Sequence, residues 1–431
     1  MHRRFLLSLL CSTVCLAPSL AAGQAGVYVT PSLTAEEEYD DNVFSVPDED
    51  DQVVPEEPPG QQPGTSELPR GREDDFIFRA TPGVEAGYSS EPVSVVGRYR
   101  VDAEQYVNHS DLSDGVARQN GSVRATYLPN RRLTTGLEGG FSESKRPRDL
   151  NQLIPSGDQQ LPGTGLEDPR ARVRRYFATP NVSFRWTRRL STDADYSYER
   201  SEEVGGVTSD THAAGARINR RITRRDTVDV GYGYRNFQFE EARPAPAPGT
   251  EPVPDPESFA NQNASESHVV SFGWTREFTP RVEVVLRGGP RFTEGAIDAD
   301  ALARLRYALE RGDLSVQYTR TENTAVGELG AVRTDSVVAG IGYEVGRGVS
   351  LQGAVGYARN ETDSFDADVY SANVGVDYQT REWLKLFVSY DFSLQQESFS
   401  TGADGRVMPD QDTLHNLGAV GFTITYPYRV Y

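Results

Sequence analysis

The feature that most constrains this chain is an alternation of apolar and polar residues with a period of two. In residues 384–394, apolar side chains occupy every second position, and the positions between them are polar except for Phe387. A period of two places the two sets on opposite faces of a β-strand. A tilted strand of about ten residues crosses a bilayer. A soluble sandwich would also bury such an apolar face, so the strand count, the turns and the chain ends must distinguish the two folds.

The same alternation recurs along nearly the whole chain, and its connections are short and long in turn. The short turns are centred on 89–92, 129–131, 187–189, 223–225, 279–281, 310–313, 346–348 and 380–382. The longer or more polar links between them include 45–73, 145–171, 240–264 and 398–413. Short turns at one rim and long loops at the other are typical of bacterial outer-membrane barrels. The sequence therefore predicts an all-β fold, a transmembrane antiparallel up-and-down β-barrel of about 18 strands with short periplasmic turns and long extracellular loops.

An even number of strands places both chain ends on the side of the short turns. The weakest strand signal lies at 297–309, where residues 301–305 are rich in helix formers and Ile297, Ala301 and Leu305 fit a helical spacing. We expect a strand there, because removing it would reverse the order of short and long connections in the rest of the chain.

A secretory signal peptide is expected at the start of the chain. The charged start His2-Arg3-Arg4 precedes apolar residues at 5–10 and 14–16, and small residues follow at 21–23 and 25. This order is typical of a cleaved signal, and the apolar segment is too short to anchor the chain in a bilayer. The sequence therefore predicts a signal peptide at 1–24 and an outer-membrane β-barrel at 25–431.

Cysteine usage and hydropathy fit the same interpretation. The two cysteines, Cys11 and Cys15, lie within the predicted signal, so the mature chain is expected to have none. No run of about eighteen apolar residues follows the signal, which excludes transmembrane helices. Hydrophobic residues make up 37% of the chain, and the mean hydropathy is −0.55. A barrel tolerates such values because half of each strand faces a wet lumen.

The chain ends at Tyr431, shortly after an amphipathic stretch that closes with Tyr426-Pro427-Tyr428. An aromatic final residue on an amphipathic last strand resembles the signal by which outer-membrane proteins are recognised for insertion. Together with the predicted leader, it indicates the outer membrane of a Gram-negative cell. The expected partners are outer-membrane lipid, lipopolysaccharide and the barrel-assembly machinery.

The net charge of −19 argues against nucleic acid as a partner, because phosphates would be repelled. No phosphate-binding, zinc-protease or paired-cysteine motif is present, so we expect no cofactor and no metal site. The histidines His109, His212, His268 and His415 each stand alone in the sequence, and solvation in a loop or at a strand end is their ordinary explanation. We expect no enzymatic activity and no catalytic residue. The enzymatic alternative is strongest if His415 pairs with a Ser or Asp of a neighbouring strand.

Two proline-rich stretches are predicted to be external loops, at 45–73 and 240–264. The first lacks aromatic residues and carries acidic clusters at 48–51 and 56–57. Such a composition cannot bury a core. The acidic clusters could bind divalent cations, but no calcium-loop motif is present.

On one face of the strands, which is made of every second residue and is here called one parity, the side chains include charges of both signs. An arginine that faces lipid near the midplane costs about 2–4 kcal/mol, so we expect this parity to face the lumen. Opposed charges there could orient a polar solute, or they could simply solvate one another, and the sequence leaves both interpretations open. The predicted pore-lining residues are Arg98, Arg100, Asp102, Glu104, Arg124, Arg185, Asp193, Asp195, Arg217, Arg221, Asp229, Arg235, Arg287, Arg304, Arg306, Asp377, Lys385 and Asp391.

Three further patterns bear on the bore. Glycines on the inward parity, including Gly231 and Gly421, leave space and favour an open bore. Phe237 and Phe387 are the only clear inward aromatic candidates, so an aromatic track for sugars has thin support. The link at 145–171 is, by its length, the best candidate for a loop that folds into the bore.

Residues 39–44 read Tyr-Asp-Asp-Asn-Val-Phe and precede amphipathic strands joined by Thr-Arg-Arg turns. This pattern resembles the outer-membrane β-barrel porin type 2 family, which is associated with exopolysaccharide or capsule gene clusters in Gram-negative bacteria. The resemblance covers most of the mature chain in architecture, but only this short motif in specific residues. It implies export of a polysaccharide, with the polymer and periplasmic export components as partners. A general diffusion porin for small hydrophilic solutes is the first alternative, and an outer-membrane hydrolase or adhesin on a barrel scaffold is the second.

Overall fold

The computed structural model describes residues 26–47, 71–154, 163–241, 264–293, 295–362, 365–399 and 410–430. The predicted signal peptide, most of the two proline-rich loops and Tyr431 lie outside the described residues. No helix in the described part of the chain is long and apolar enough to cross a membrane.

The described residues form eighteen long strands and a short final one. In chain order they are β1 (Gly26–Asp40), β2 (Asp75–Ser89), β3 (Val93–Tyr106), β4 (Asp114–Asn130), β5 (Leu133–Ser144), β6 (Val173–Arg185), β7 (Leu190–Glu203), β8 (Val207–Arg221), β9 (Asp226–Glu241), β10 (Ala264–Thr279), β11 (Val282–Thr293), β12 (Ala296–Leu309), β13 (Gly312–Asn323), β14 (Val332–Gly346), β15 (Val349–Glu361), β16 (Phe365–Arg381), β17 (Leu384–Phe399), β18 (Gln411–Thr425) and β19 (Tyr428–Val430). The helical segments among them are a 3-10 turn (Ser110–Leu112) and α1 (Arg148–Asn151). The long strands have 12 to 17 residues. They exceed the length of about ten that crosses a bilayer.

The strands close into a ring. Each long strand pairs with the next one in the chain, and β1 also pairs antiparallel with β18, with Ser32 opposite Thr425 and Asp40 opposite Leu417. Closure leaves no edge of unpaired peptide groups, which is the condition for a sheet in hydrocarbon. The short β19 pairs with the beginning of β1. The predicted eighteen-strand antiparallel barrel is therefore confirmed.

The short turns lie where the sequence predicts them. Each joins an even-numbered strand to its successor, and all are at the rim where β1 begins and β18 ends. The doubtful stretch at 297–309 is strand β12, which pairs with β11 and β13 along its length. Pairing on both sides therefore outweighs its helix-forming composition. At the other rim the connections are not all long, since 204–206 join β7 to β8, and β12 begins at Ala296, shortly after β11 ends at Thr293.

Directly paired residues share a face of the sheet, so the register assigns every strand residue to the outside or the inside. In β17, Leu386, Val388 and Tyr390 are 41%, 56% and 45% exposed and lie on the outside. The residues between them face the interior, and Gln395 on that parity is only 1% exposed. A continuous exposed apolar face around the ring is suited to hydrocarbon. The chain is therefore an outer-membrane type of β-barrel.

A set of tyrosines marks where the outer face leaves the hydrocarbon. The hydroxyl of Tyr198 donates to Asp210 at 2.7 Å, and that of Tyr357 donates to Asp368 at 2.7 Å. In each pair the acceptor lies on the next strand, closer to the long-loop rim. Rings in the apolar zone with hydroxyls directed to polar groups are typical of a membrane interface. The strand ends beyond these tyrosines therefore project from the bilayer.

Two adjacent substitutions in β17 test the assignment of faces. Val388→Arg puts a guanidinium into hydrocarbon, and we expect it to lower the free energy of unfolding by about 2–4 kcal/mol. Ser389→Arg points to the lumen, and we expect a change of about 0.5 kcal/mol or less. Urea unfolding in lipid vesicles measures both values. Equal losses for the two variants would contradict the inside-outside assignment.

Candidate functional site

A segment between β5 and β6 lies inside the barrel. Residues 145–154 and 163–172, here called the plug segment, leave and re-enter the wall at the long-loop rim. Leu153 and Leu166 of this segment are 2% and 1% exposed, and they pack against inward-facing side chains of β14, β15 and β16 such as Val369. These strands lie about halfway round the ring from β5 and β6. The link at 145–171 was predicted to be the best candidate for a loop that folds into the bore. Its described residues do lie in the bore, in the half nearer the long-loop rim.

Hydrogen bonds also attach the plug segment to the opposite wall. The side-chain nitrogen of Asn360 on β15 donates to the carbonyl oxygen of Thr164 at 2.9 Å. The side-chain amide of Gln395 on β17 accepts from the backbone nitrogen of Glu167 at 2.7 Å and donates to the carbonyl oxygen of the same residue at 3.1 Å. Polar groups of the plug backbone thus find partners in the wall, as buried peptide groups require.

Arg146 is the main ionic anchor at the near end of the plug segment. Its side chain is 5% exposed and lies 3.2 Å from Glu38, 3.3 Å from Asp40 and 3.1 Å from Glu104. Arg79 of β2 shares these carboxylates, at 2.7 Å from Glu38 and 2.9 Å from Glu104. Two arginines and three carboxylates therefore join the plug to β1, β2 and β3. Buried charges are stable only when they are paired in this way.

Arginines keep two carboxylates of the plug segment, Asp149 and Glu167, ionised. Burial by itself raises the pKa of Asp149, but the nearby guanidinium of Arg118 and its neighbours hold this pKa well below its ordinary value. Burial also raises the pKa of Glu167, but Arg148 and His415 outweigh this effect and lower the pKa to about 2. These two carboxylates stay charged at neutral pH, so their ionic contacts persist there.

His415 of β18 is buried between two carboxylates and is 1% exposed. Its Nε2 lies 2.7 Å from Asp40 of β1, and its Nδ1 lies 3.2 Å from Glu167 of the plug segment. The expectation that this histidine is solvated at a strand end is therefore wrong. The pairing with an Asp of the neighbouring strand does occur, but the second ring nitrogen also faces a carboxylate. The residue links the two closing strands to the plug.

Asp40, Asp41 and His415 are the described residues that come closest to a metal-binding geometry, with ligand atoms within 4.8 Å of one another. Asp41 already accepts hydrogen bonds from the backbone and side-chain nitrogens of Asn416, both at 2.6 Å. Asp40 is engaged by His415 and Arg146. A metal ion would have to displace these partners, so the arrangement acts chemically as a junction of hydrogen bonds and ion pairs.

The motif at 39–44 lies at this junction. The side-chain nitrogen of Asn42 donates to the carbonyl oxygens of Val46 at 2.8 Å and of Leu414 at 3.1 Å. Val43 and Phe44 pack into a buried cluster on β2 and β3. The motif therefore closes the first strand against the last one at the outer rim, and its Asp40 also contacts the plug segment.

A second junction, at the far end of the plug segment, contains carboxyl groups. Asp168 of the plug and Glu328 of the β13–β14 loop lie near Glu397 and Glu203. Burial, followed by repulsion from Glu397, raises the pKa of Glu328 to about 7. Burial and the neighbouring Glu328 raise the pKa of Asp168 well above its ordinary value. Among the described residues, no arginine or lysine forms an ion pair with this group, which makes it sensitive to pH.

All the predicted pore-lining residues lie on the inward-facing parity of their strands. Ion pairs on this face include Arg98–Glu85, Asp102–Arg118, Glu104–Arg79, Arg124–Glu138, Arg217–Asp229, Arg287–Asp229, Arg235–Asp300, Arg306–Asp313 and Lys385–Asp377. Asp193 accepts a hydrogen bond from Asn219. The remaining predicted residues lie on the same inward face but belong to none of the pairs just named. They are Arg100, Arg185, Asp195, Arg221, Arg304 and Asp391. That these residues carry a solute through the bore stays a prediction.

Three of these residues do not face water. Asp102, Glu104 and Asp229 are 3%, 6% and 5% exposed. Arginines cover them, for example Arg287, which lies 3.2 Å from Asp229. The expectation that they line a water column is therefore wrong, because ion pairing buries them against the wall or under the plug segment.

The prediction that Phe237 and Phe387 are the only inward aromatics is also wrong. Phe239 lies on the same parity of β9 and is 5% exposed, and Phe365 at the start of β16 is 7% exposed. Gly421 does not open the bore as expected, since a Cβ added there would lie 2.7 Å from the ring of Phe387. This glycine leaves room for an aromatic ring of the adjacent strand.

Sequence reasoning missed the residues that hold the plug segment. Glu38 and Arg79 lie on the inward parity of β1 and β2, so strict alternation could have identified them. Arg146 and Glu167 lie in a connection without periodicity, and their partners are distant in the chain. No sequence signal pointed to them.

The Arg146 anchor can be tested within the plug segment. Arg146→Met leaves Glu38 and Asp40 without this counter-charge, and loss of one partner from a buried ion pair costs about 3–5 kcal/mol. We expect amide exchange across 145–172 to become more than about tenfold faster while the barrel strands stay protected. Arg172→Met is the control, because its 43% exposed side chain makes only long contacts of 3.6 and 3.9 Å. Unchanged exchange in Arg146→Met would show that other contacts hold the plug.

The carboxyl junction predicts a pH dependence of plug docking. A carboxyl whose pKa is higher when docked stabilises the docked state fully below its ordinary pKa, and this contribution is lost as pH rises through the higher value. For Glu328 the window runs from 4.5 to about 7. We expect exchange of 163–172, corrected for intrinsic rates, to accelerate over this range. Glu328→Gln should weaken the dependence, with Asp168 still titrating, whereas Glu310→Gln on an exposed turn should leave it unchanged.

Comparisons with known proteins assign no family. No family model matches the chain, and no curated protein matches it. Among solved structures, the siderophore receptor PirA from Pseudomonas aeruginosa is 10% identical, with a TM-score of 0.40 over 92% of this chain and 80% of that one. The FrpB iron transporter from Neisseria meningitidis is 9% identical, with a TM-score of 0.42 over 95% and 82%. A loop-deletion variant of OmpT, an outer membrane protein of Vibrio cholerae, is 13% identical, with a TM-score of 0.37 over 94% and 100%. Overlaps at this level identify neither a family nor a substrate.

Proposed function

We propose that the protein is an outer-membrane channel that exports an exopolysaccharide or capsular polysaccharide, with the plug segment as its gate. The observation that carries this proposal is the position of the plug segment. It crosses the outer half of a bore whose other half is lined by exposed charged side chains such as Arg304 and Arg306. A polar polymer needs a wet path through the membrane and a barrier that opens only when required.

The attachment of the plug segment suits a gate. Its polar contacts, at Arg146, Thr164 and Glu167, are ion pairs and hydrogen bonds to side chains of the wall. Water or a hydroxyl-rich solute can replace such partners. The strand ladder does not depend on them, because the ring is closed by its own backbone pairing. The plug can therefore leave the bore without opening the barrel.

Polysaccharide as the cargo is supported by the motif at 39–44, which carries the family resemblance. In this chain Asp40 of the motif contacts Arg146 of the plug segment and His415 of β18. One residue of the motif that carries the resemblance is thus among those that hold the gate. We also propose that the chain is not an enzyme, since both nitrogens of His415 face carboxylates.

A diffusion porin for small hydrophilic solutes is the second candidate. Half-exposed pairs of opposite charge in the periplasmic half, such as Lys385 with Asp377, favour it. Such pairs would suit small ions and sugars as well as a polymer. The size of the solute that passes when the plug is free distinguishes the two functions.

A reversible lock on the plug tests the gate and the cargo together. A Cβ added at Gly356 would lie 3.2 Å from Cγ of Leu153, so Leu153→Cys with Gly356→Cys brings two thiols within bonding reach. Oxidation would tie the plug to β15, and reductant would release it. The native cysteines lie in the predicted signal peptide and should not interfere.

We expect cells that carry only the oxidised double variant to lose surface polysaccharide, as measured by staining, and to recover it with reductant. The single variants Leu153→Cys and Gly356→Cys serve as controls. Polysaccharide at the wild-type level in oxidised cells would refute gated export. Unchanged polysaccharide together with lost uptake of small solutes would favour the diffusion porin.

A further inference from the structure

We infer that the periplasmic mouth of the barrel contains a binding site for the anionic groups of an acidic polysaccharide, which the channel takes up there. The inference rests on the proposed export function and specifies the substrate class. The site is a depression of about 470 Å³ between β6, β7 and β8 at the rim of the short turns. Its cationic lining consists of Arg185, Arg188, Arg189 and Arg221.

The position of these arginines gives them access to a solute that enters the bore. Arg185 ends β6 opposite Ser191, and Arg221 ends β8 opposite Thr227, all on the inward-facing parity. Arg188 and Arg189 lie in the turn between β6 and β7. Two strand ends and one turn therefore converge on the same patch of the lumen entrance. All these arginine side chains are exposed.

The charges of this patch are not neutralised locally. Among the described residues, none of its arginines forms an ion pair, whereas most arginines deeper in the bore do. Two inward-facing carboxylates at this end of β7 and β9 are already engaged. Asp229 is contacted by Arg217 at 3.6 Å and by Arg287 at 3.2 Å, and Asp193 accepts a hydrogen bond from Asn219. In a chain of net charge −19, an unpaired basic patch is a local feature and not a consequence of composition.

The chemistry of the lining indicates what binds. Guanidinium groups recognise carboxylate, phosphate and sulfate through paired hydrogen bonds. Ser191, Asn219 and Thr227 contribute neutral hydroxyl and amide groups to the same depression, and such groups bind sugar hydroxyls. Several cations on one patch favour a polymer with repeated charges over a single small anion, because successive contacts add avidity.

The carboxyl junction at the opposite end of the bore offers no such cationic site among the described residues. At the outer rim, Asp168, Glu328 and Glu397 form the carboxyl junction, without a basic partner in the described chain. An acidic polymer would be attracted at the periplasmic mouth and would lose that attraction at the exit. This asymmetry favours capture from the periplasm and release outside.

The test measures binding of oligogalacturonate, an acidic sugar oligomer, to the detergent-solubilised full-length protein by calorimetry. Neutral dextran of equal length is the comparison probe. We expect binding of the acidic oligomer that weakens with salt, and little binding of dextran. Arg185→Gln with Arg221→Gln should weaken it about tenfold, since two charge-assisted contacts are lost.

A matched double variant controls for net charge. Arg220 lies on the outward parity of β8 and Arg224 lies in the following turn, and neither lines the depression. Arg220→Gln with Arg224→Gln removes the same charge at the same rim and should leave binding unchanged. Equal weakening in both double variants, no weakening in either, or equal binding of dextran would overturn the site. The binding measurement does not depend on passage through the barrel. Binding can therefore be absent while the disulfide lock still demonstrates a gate, and binding can be present while the lock has no effect on export.

Discussion

The structure depends on the satisfaction of every peptide group of the membrane-spanning sheet. A strand in hydrocarbon has no water to accept its hydrogen bonds, so the sheet must close. Here closure is made by β1 and β18, paired from Ser32 to Asp40. The side chains beyond this seam secure it, because Asn42 binds the carbonyl oxygen of Leu414 and Asp41 binds Asn416. The ring then fixes which side chains point to lipid and which share the enclosed space.

On the side of β1, β2 and β3 the enclosed space is filled by charge, whereas an apolar cluster packs the plug segment against β14, β15 and β16. Arg146, Arg79, Glu38, Asp40 and Glu104 lie together with little exposure. Removing such charges from water is costly, so a network of this kind adds less to stability than well-packed apolar side chains would. It does add specificity, because every charge needs its partner in place. A plug held in this way docks in one arrangement and can be released when water or a polar solute replaces its partners.

The regular parts of the fold could be predicted because they repeat. Alternation of apolar and polar residues, with short turns such as 223–225 at regular intervals, determined the number of strands and the inward parity. The strand β12 was also predicted correctly, because the order of short and long connections required a strand there despite its helix-forming residues. The plug anchors could not be predicted in this way. Arg146 and Glu167 belong to an aperiodic link, and Glu167 meets His415 across a separation of 248 residues.

Lipid on one side of a strand and water on the other impose a period of two, and this period was enough to predict the barrel, its strand count and the direction of the strand side chains. Which inward charges meet water and which are buried depends instead on contacts between residues that are distant in the chain. Asp229 and Arg185 share one parity, yet the first is covered by two arginines and the second is exposed at the mouth. That difference depends on which inward side chains of nearby strands reach one another, and such contacts leave no periodic signal in the sequence.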